Sequence, residues 1–249
     1  MASGYYQLFR EILEKKDTIK LMNVFQGVPI TYEAAIVEIR GAEIRVLTHP
    51  LQLICIRHQK ETFISYQSLI YKAMALSTDM QRETVLLTNF ELTREVGFRK
   101  CIRVEPLKPV KVCLCTDKPG SNPNGLLTSM VDISINGMAV CMNSFLFNIS
   151  ALECGDKVGL KFNLFDPGTE AFNNIQARAI LRNITATSDK TVRLGFEFLS
   201  NAANEGVITH FVAQRQKNAL KELKKIYEEE FSLHFRSEEH TSELQSRLH

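Results

Sequence analysis

Two short stretches carry the residues best suited to chemistry. Arg99-Lys100-Cys101-Ile102-Arg103 sets two guanidinium groups four positions apart, an R-x-x-x-R with Lys100 inside it. Each guanidinium is a planar fork of donors that matches phosphate oxygens or the O6/N7 edge of guanine, and its flat face can stack on a base. Asp132-Ile133-Ser134-Ile135-Asn136-Gly137 is a D-x-S-x-x-G. On a strand, Asp132 and Ser134 share one face while Ile133 and Ile135 point to the other, towards a core. Asn136-Gly137 then closes the run with a strong turn signal, so that Gly137 shapes the turn. Cationic forks followed by an acceptor pair at a strand edge form a cup suited to a guanine nucleotide. The plainer alternatives are a surface ion pair of the arginines with Glu95 or Glu105, and turn-stabilising roles for Asp132 and Ser134.

Composition limits the other possibilities. The chain has 249 residues, 45% hydrophobic and 23% charged, with a formal net charge of +2. That is enough for two small domains with real cores, and too little charge to argue for general nucleic-acid or membrane binding. The charge is locally uneven: Gly97 to Lys111 holds five basic residues (Arg99, Lys100, Arg103, Lys108, Lys111) against Glu105 alone. No apolar run approaches the ~20 residues of a membrane span. The six cysteines lack the spacing of a disulfide framework, which places the expected compartment in a reducing cytoplasm. Cys113 and Cys115 are two apart, not a C-x-x-C, and no metal site is expected. There is no G-x-S-x-G, H-E-x-x-H or P-loop, and Asp132 and Ser134 have no histidine partner, so the expectation is a non-enzyme.

The elements that must position these residues are mainly β. Tyr5 to Val24 has near-helical apolar spacing, with a break near Asp17. From Val28 to Thr93, short apolar segments bounded by turn residues predict a small all-β barrel of the split-barrel kind, including strands at Leu51 to Ile56 and Val85 to Leu92. His49 and His58 fall at strand ends and read as exposed or capping residues. A second β-barrel follows from Ile102. In its last strand Val192, Leu194, Phe196 and Phe198 face inwards and Arg193, Gly195 and Glu197 outwards, where Gly195 would admit a ligand or another backbone. Met138 to Phe147 reads as a returning strand. Asn204 to Phe235 reads as one long helix whose Leu223–Tyr227–Phe231 stripe is either a face for a homodimer or protein partner or the docked face of an otherwise solvated helix. Residues 236–249 carry no periodic apolar face and read as a non-native or disordered tail.

The two motifs in this order resemble the PilZ domain, a receptor for the bacterial second messenger cyclic di-GMP. Arg193-Leu194-Gly195-Phe196-Glu197-Phe198 is similar to that family's glycine-containing late strand. The resemblance covers about residues 96 to 216, and a separate domain ahead of the motifs is similar to the flagellar-brake arrangement. It implies a regulatory domain at 1–95 and a cyclic di-GMP-binding barrel with its helix at 96–235. It implies ligand contacts from Arg99, Lys100, Arg103, Asp132, Ser134, Gly137 and Gly195. No other cofactor, DNA or RNA is expected, and the signal would pass to a downstream protein. Phe98 stands where the family often has a further arginine, so one nucleotide per site is expected. Because Arg99 adjoins the short linker at Gly97, ligand binding is expected to reorient the two domains. The alternative is a degenerate scaffold that acts through protein contacts without nucleotide.

Overall fold

A computed structural model of the chain describes residues 4–93, 101–116, 125–166, 170–199 and 202–246, with side chains in the last segment described for 204–230. Contacts divide the chain into two units: Met1–Phe25, Pro29–Phe98 and Ala219–His249 form one, and Gln26–Val28 with Arg99–Asn218 form the other. Each contains a closed six-stranded barrel, so the architecture is mainly β with an N-terminal and a long C-terminal helix.

The first barrel uses β1 (Thr18–Phe25), β2 (Val28–Arg40), β3 (Glu43–Thr48), β4 (Glu61–Tyr66), β5 (Leu69–Asp79) and β6 (Thr84–Leu92) in the order β1-β2-β3-β6-β5-β4. It closes where Leu21 pairs with Ile64 across β1 and β4. Alternate residues such as Ile19, Leu21, Ile44, Val46, Ile64, Val85 and Leu87 fill it. Helix α1 (Gly4–Lys15) buries Phe9 and Ile12 in the same core, with the Phe9 ring 5.0 Å from Phe90. The helix stops because Lys16 turns left-handed (φ 56°) and Asp17 N–H returns to Ile12 O at 3.0 Å. The expected helical segment to Val24 therefore ends at Lys15, and Ile19, Leu21 and Asn23 continue with a period of two.

The segment expected as a strand at Leu51 to Ile56 is instead helix α2 (Pro50–Gln59). An apolar run buried on every side has no periodicity to tell strand from helix, and the ends decide. His49 caps the N-terminus, its Nδ1 accepting from Leu51 N–H at 3.1 Å, and Pro50 takes the position where a missing N–H costs nothing. Lys60 ends the helix in the left-handed region at φ 62°. Fully buried Gln52 is held by Asn23, whose amide also donates to Gln59 Oε1 at 2.7 Å. Cys55, in the same helix, is buried and its thiol is pushed up to about 12, which makes it an inert hydrophobe.

The second barrel uses β7 (Lys111–Cys115), β8 (Leu126–Ser134), β9 (Gly137–Asn143), β10 (Lys157–Asp166), β11 (Ala171–Ser188) and β12 (Thr191–Phe198) in the order β10-β11-β12-β9-β8-β7. It closes between β7 and β10 where Leu114 pairs with Leu160. The expected strand Met138 to Phe147 ends at Asn143, whose Oδ1 accepts from Phe145 N–H at 2.9 Å and starts helix α3 (Ser144–Ser150).

The final helix α4 runs Ala202–Ser246, beyond the expected Phe235 and through the segment read as a tail. Its buried apolar side chains include Ile208, Phe211 and Val212, which belong to the second unit, and Ala219 and Leu223, which belong to the first. Leu223, on the stripe read as either a partner contact or a docked face, is buried.

Replacing His49 with alanine removes the α2 cap. The expected loss is about 0.5–2 kcal/mol, read as a lower urea midpoint with an unchanged slope.

Candidate functional site

The D-x-S segment reaches the barrel surface because of a bulge. Along β8, Thr128 and Met130 point into the barrel, and strict alternation would send Asp132 after them. Between Met130 and Asp132 the pairing with β9 slips by one residue. After the slip Ile133 fills the core, fully buried, and Asp132 and Ser134 take the outer face. Ile135, expected to face the core, lies in the two-residue turn with Asn136 and is exposed.

Arg103 is brought to Asp132 by backbone pairing. Val104 bridges Ile133, its N–H donating to Ile133 O at 2.8 Å and its carbonyl accepting at 3.0 Å. Arg103 Nη1 then donates to Asp132 Oδ1 at 3.5 Å. The other carboxylate oxygen, Oδ2, accepts a short contact from Arg193 Nη2 of β12. Asp132 is 6% exposed, whereas the side chains of Arg103 and Arg193 are 32% and 39% exposed. The carboxylate is therefore a buried anchor, and the two guanidiniums keep part of their surface towards solvent.

The strand register completes a cleft of about 460 Å³ beside this clasp. Asp132 pairs with Ala139, Ala139 with Gly195, and Gly195 with Asn183, across β8, β9, β12 and β11. The middle of that row has almost no side chain, which leaves a floor. Arg103, Arg182 and Arg193 line the cleft, with Asn136, Asn183 and Thr185 as uncharged polar groups and Glu197 as the carboxylate among the lining residues. Arg182 is the extra residue of a second bulge, between Leu181 and Asn183, and its Nε donates to Glu197 Oε2 at 2.6 Å.

Arg103, Ser134, Gly137 and Gly195 line the cleft, and Asp132 stands behind Arg103 and Arg193. Arg99 and Lys100 lie outside the described residues. Ser134 is buried and its Oγ donates to Gly137 O at 3.0 Å, so its proton pins the hairpin. Gly137 opens β9 and is required by packing: a Cβ there would collide with the carbonyl oxygen of Phe196. At Gly195 an added Cβ would meet Asn183 Cβ at 3.4 Å, an ordinary contact, so the protein fold does not itself demand glycine there.

Sequence reasoning missed Arg193, Arg182, Asn183 and Thr185 as lining groups. The outward face of β12 was legible and pointed to Arg193 and Gly195 together. Arg182 carried no signal, since a bulge on β11 is what turns it to the cleft. Among the described residues no group of three or more His, Cys, Asp or Glu side chains gathers as a metal site, and no helix is long and apolar enough to cross a membrane.

No protein-family model matches the chain, and no curated protein does. Solved structures show faint likenesses. The inhibitor of motility MotI/DgrA of Bacillus subtilis is 13% identical, over 82% of this chain and 97% of that one, with a TM-score of 0.41. YcgR of Escherichia coli, in complex with c-di-GMP, is 13% identical over 89% and 93%, with a TM-score of 0.41. MrkH of K. pneumonia, also in complex with c-di-GMP, is 16% identical over 90% and 97%, with a TM-score of 0.40.

Gly137→Ala is expected to destabilise the protein by roughly 1–3 kcal/mol or more, because backbone on β12 must yield. Gly195→Ala should stay within about 1 kcal/mol of the parent. Thermal melts of the two variants check the difference.

Proposed function

We propose that the chain is a cyclic di-GMP receptor and that the ligand occupies the cleft on the outer face of β8, β9, β12 and β11. The observation that carries this is the convergence of Arg103, Arg182 and Arg193 over the bare floor of Ala139 and Gly195. Its volume falls in the range of small-molecule sites. Guanidinium forks suit both phosphate oxygens and the guanine O6/N7 edge, and a floor without side chains lets a flat base approach the sheet. Asn136 and Asn183 offer donors and acceptors for base or ribose edges. Asp132 holds Arg103 and Arg193 at the edge of the cleft, so their orientation is set before a ligand arrives. Arg99 and Lys100 complete the basic signature in sequence and are proposed as further phosphate contacts.

A second reading draws on the same geometry. Asp132 is already engaged by two arginines, and the Ser134 proton is already given to Gly137. A barrel whose signature residues serve only its own hairpin would be a protein-interaction scaffold. Calorimetric titration separates the two. The receptor reading expects saturable heat with cyclic di-GMP and far weaker binding of cyclic di-AMP and GTP. No heat at high micromolar ligand overturns it in favour of the scaffold.

Within the receptor reading, Arg103→Lys keeps the charge and loses the fork, at an expected cost of roughly 1.5–3 kcal/mol, about ten- to a hundredfold in affinity. Gly195→Val should fill the floor and abolish binding while the barrel still melts cooperatively. A downstream protein would read the bound state through a reorientation of the two units, driven by whatever preference the ligand has for one arrangement. Small-angle scattering with and without cyclic di-GMP should then differ, and superimposable curves at saturation would contradict the reorientation.

A further inference from the structure

The second barrel has another concavity that the nucleotide reading does not use. It is a cavity of about 460 Å³ on the outer face of β7, β8, β10 and β11, bounded also by the segment before β7 and by α4 residues within the same unit. Its walls are mostly apolar, with Asn163, Asn174, Gln214 and Asn218 among them, and several are large side chains left open to solvent: Phe172 is 67% exposed, Leu127 63% and Leu107 56%. Single exposed hydrophobes need no explanation, but three around one cavity form a patch of the kind that marks a binding surface.

The charges are one-sided. Lys108, Lys111, Lys161 and Arg215 line the cavity, and among its described lining residues there is no Asp or Glu. Lys108 Nζ sits 4.9 Å above the Phe165 ring, which fixes a cation against the apolar wall. Phe165 and Phe172 are 5.2 Å apart and tilted by 55°, so they make a V rather than parallel plates. A flat ring system cannot stack on both faces at once, whereas a flexible aliphatic chain can fill the angle. Three exposed ammonium groups at the rim suit one small anionic head.

From these observations we infer that this cavity binds a single-chain amphiphilic anion, a medium- or long-chain carboxylate, with its chain against Phe165, Phe172 and Leu127 and its head among Lys108, Lys111 and Lys161. The site is independent of the cleft at Arg103 and Arg193, and its occupancy does not require cyclic di-GMP.

The experiment titrates the full chain with decanoate by isothermal calorimetry, and in parallel with 1-decanol, which has the same chain and no charge. Decanoate is expected to bind at least about tenfold more tightly than decanol, because the head contributes through the lysines. In a Lys108→Glu/Lys161→Glu double variant that preference should vanish while decanol is unaffected. Both positions are exposed, so the variant should melt like the parent. If it does not, Phe172→Ser, at an exposed wall residue, should weaken both ligands together. Equal binding of decanol and decanoate overturns the inference. So does an absence of decanoate binding, an unchanged decanoate preference in a folded double variant, or unaltered binding in the Phe172→Ser variant.

Discussion

A carboxylate removed from water must be matched by partners, or it takes up a proton or destabilises the fold. In this chain that constraint falls on Asp132, and the second barrel is arranged to meet it. Arg103 reaches one oxygen from a segment laid along β8 by the Val104–Ile133 bridge, and Arg193 reaches the other from β12. Neither arginine is buried as deeply as the aspartate. The result is an anchored anion behind two cations that still have surface to offer. Pairing them to Asp132 restricts their rotamers, so a ligand meeting them costs less ordering than it would with free side chains.

The same clasp depends on irregularity in the sheet. Without the β8 bulge the aspartate would point into the barrel core, where an unpaired charge has no place. Without the β11 bulge, Arg182 and Asn183 would not alternate as they do around Gly195. Two slips in register on strands that flank β9 and β12 thus raise polar groups on either side of a floor made from Ala139 and Gly195. Gly137 secures the arrangement, because only a residue without Cβ lets β9 begin so close to the Phe196 carbonyl.

Much of this was legible in the sequence where a strict period or a turn signal operated. Two barrels, the inward face of Val192, Leu194 and Phe196, and the shared face of Asp132 and Ser134 all follow from alternation. Reading failed where burial was complete or where an end residue decided. Leu51 to Ile56 is buried all round, so only the His49 cap and the left-handed Lys60 show that it is a helix. Met138 to Phe147 was split by Asn143 acting as a cap rather than a strand residue. The arginine that completes the clasp was invisible as such, because its meeting with Asp132 is a long-range register event sixty-one positions along the chain. Arg99 and Lys100 lie outside the described residues, and their part in the site stands on the sequence motif alone.

The most direct test is a crystal structure of the chain grown with cyclic di-GMP. A guanine is expected to lie over Ala139 and Gly195, with phosphate or O6/N7 contacts from Arg103 and Arg193 and with Asp132 still bound to at least one of them. Ligand density elsewhere on the barrel, or an empty cleft with the Asp132 clasp unchanged at saturating ligand, would contradict it.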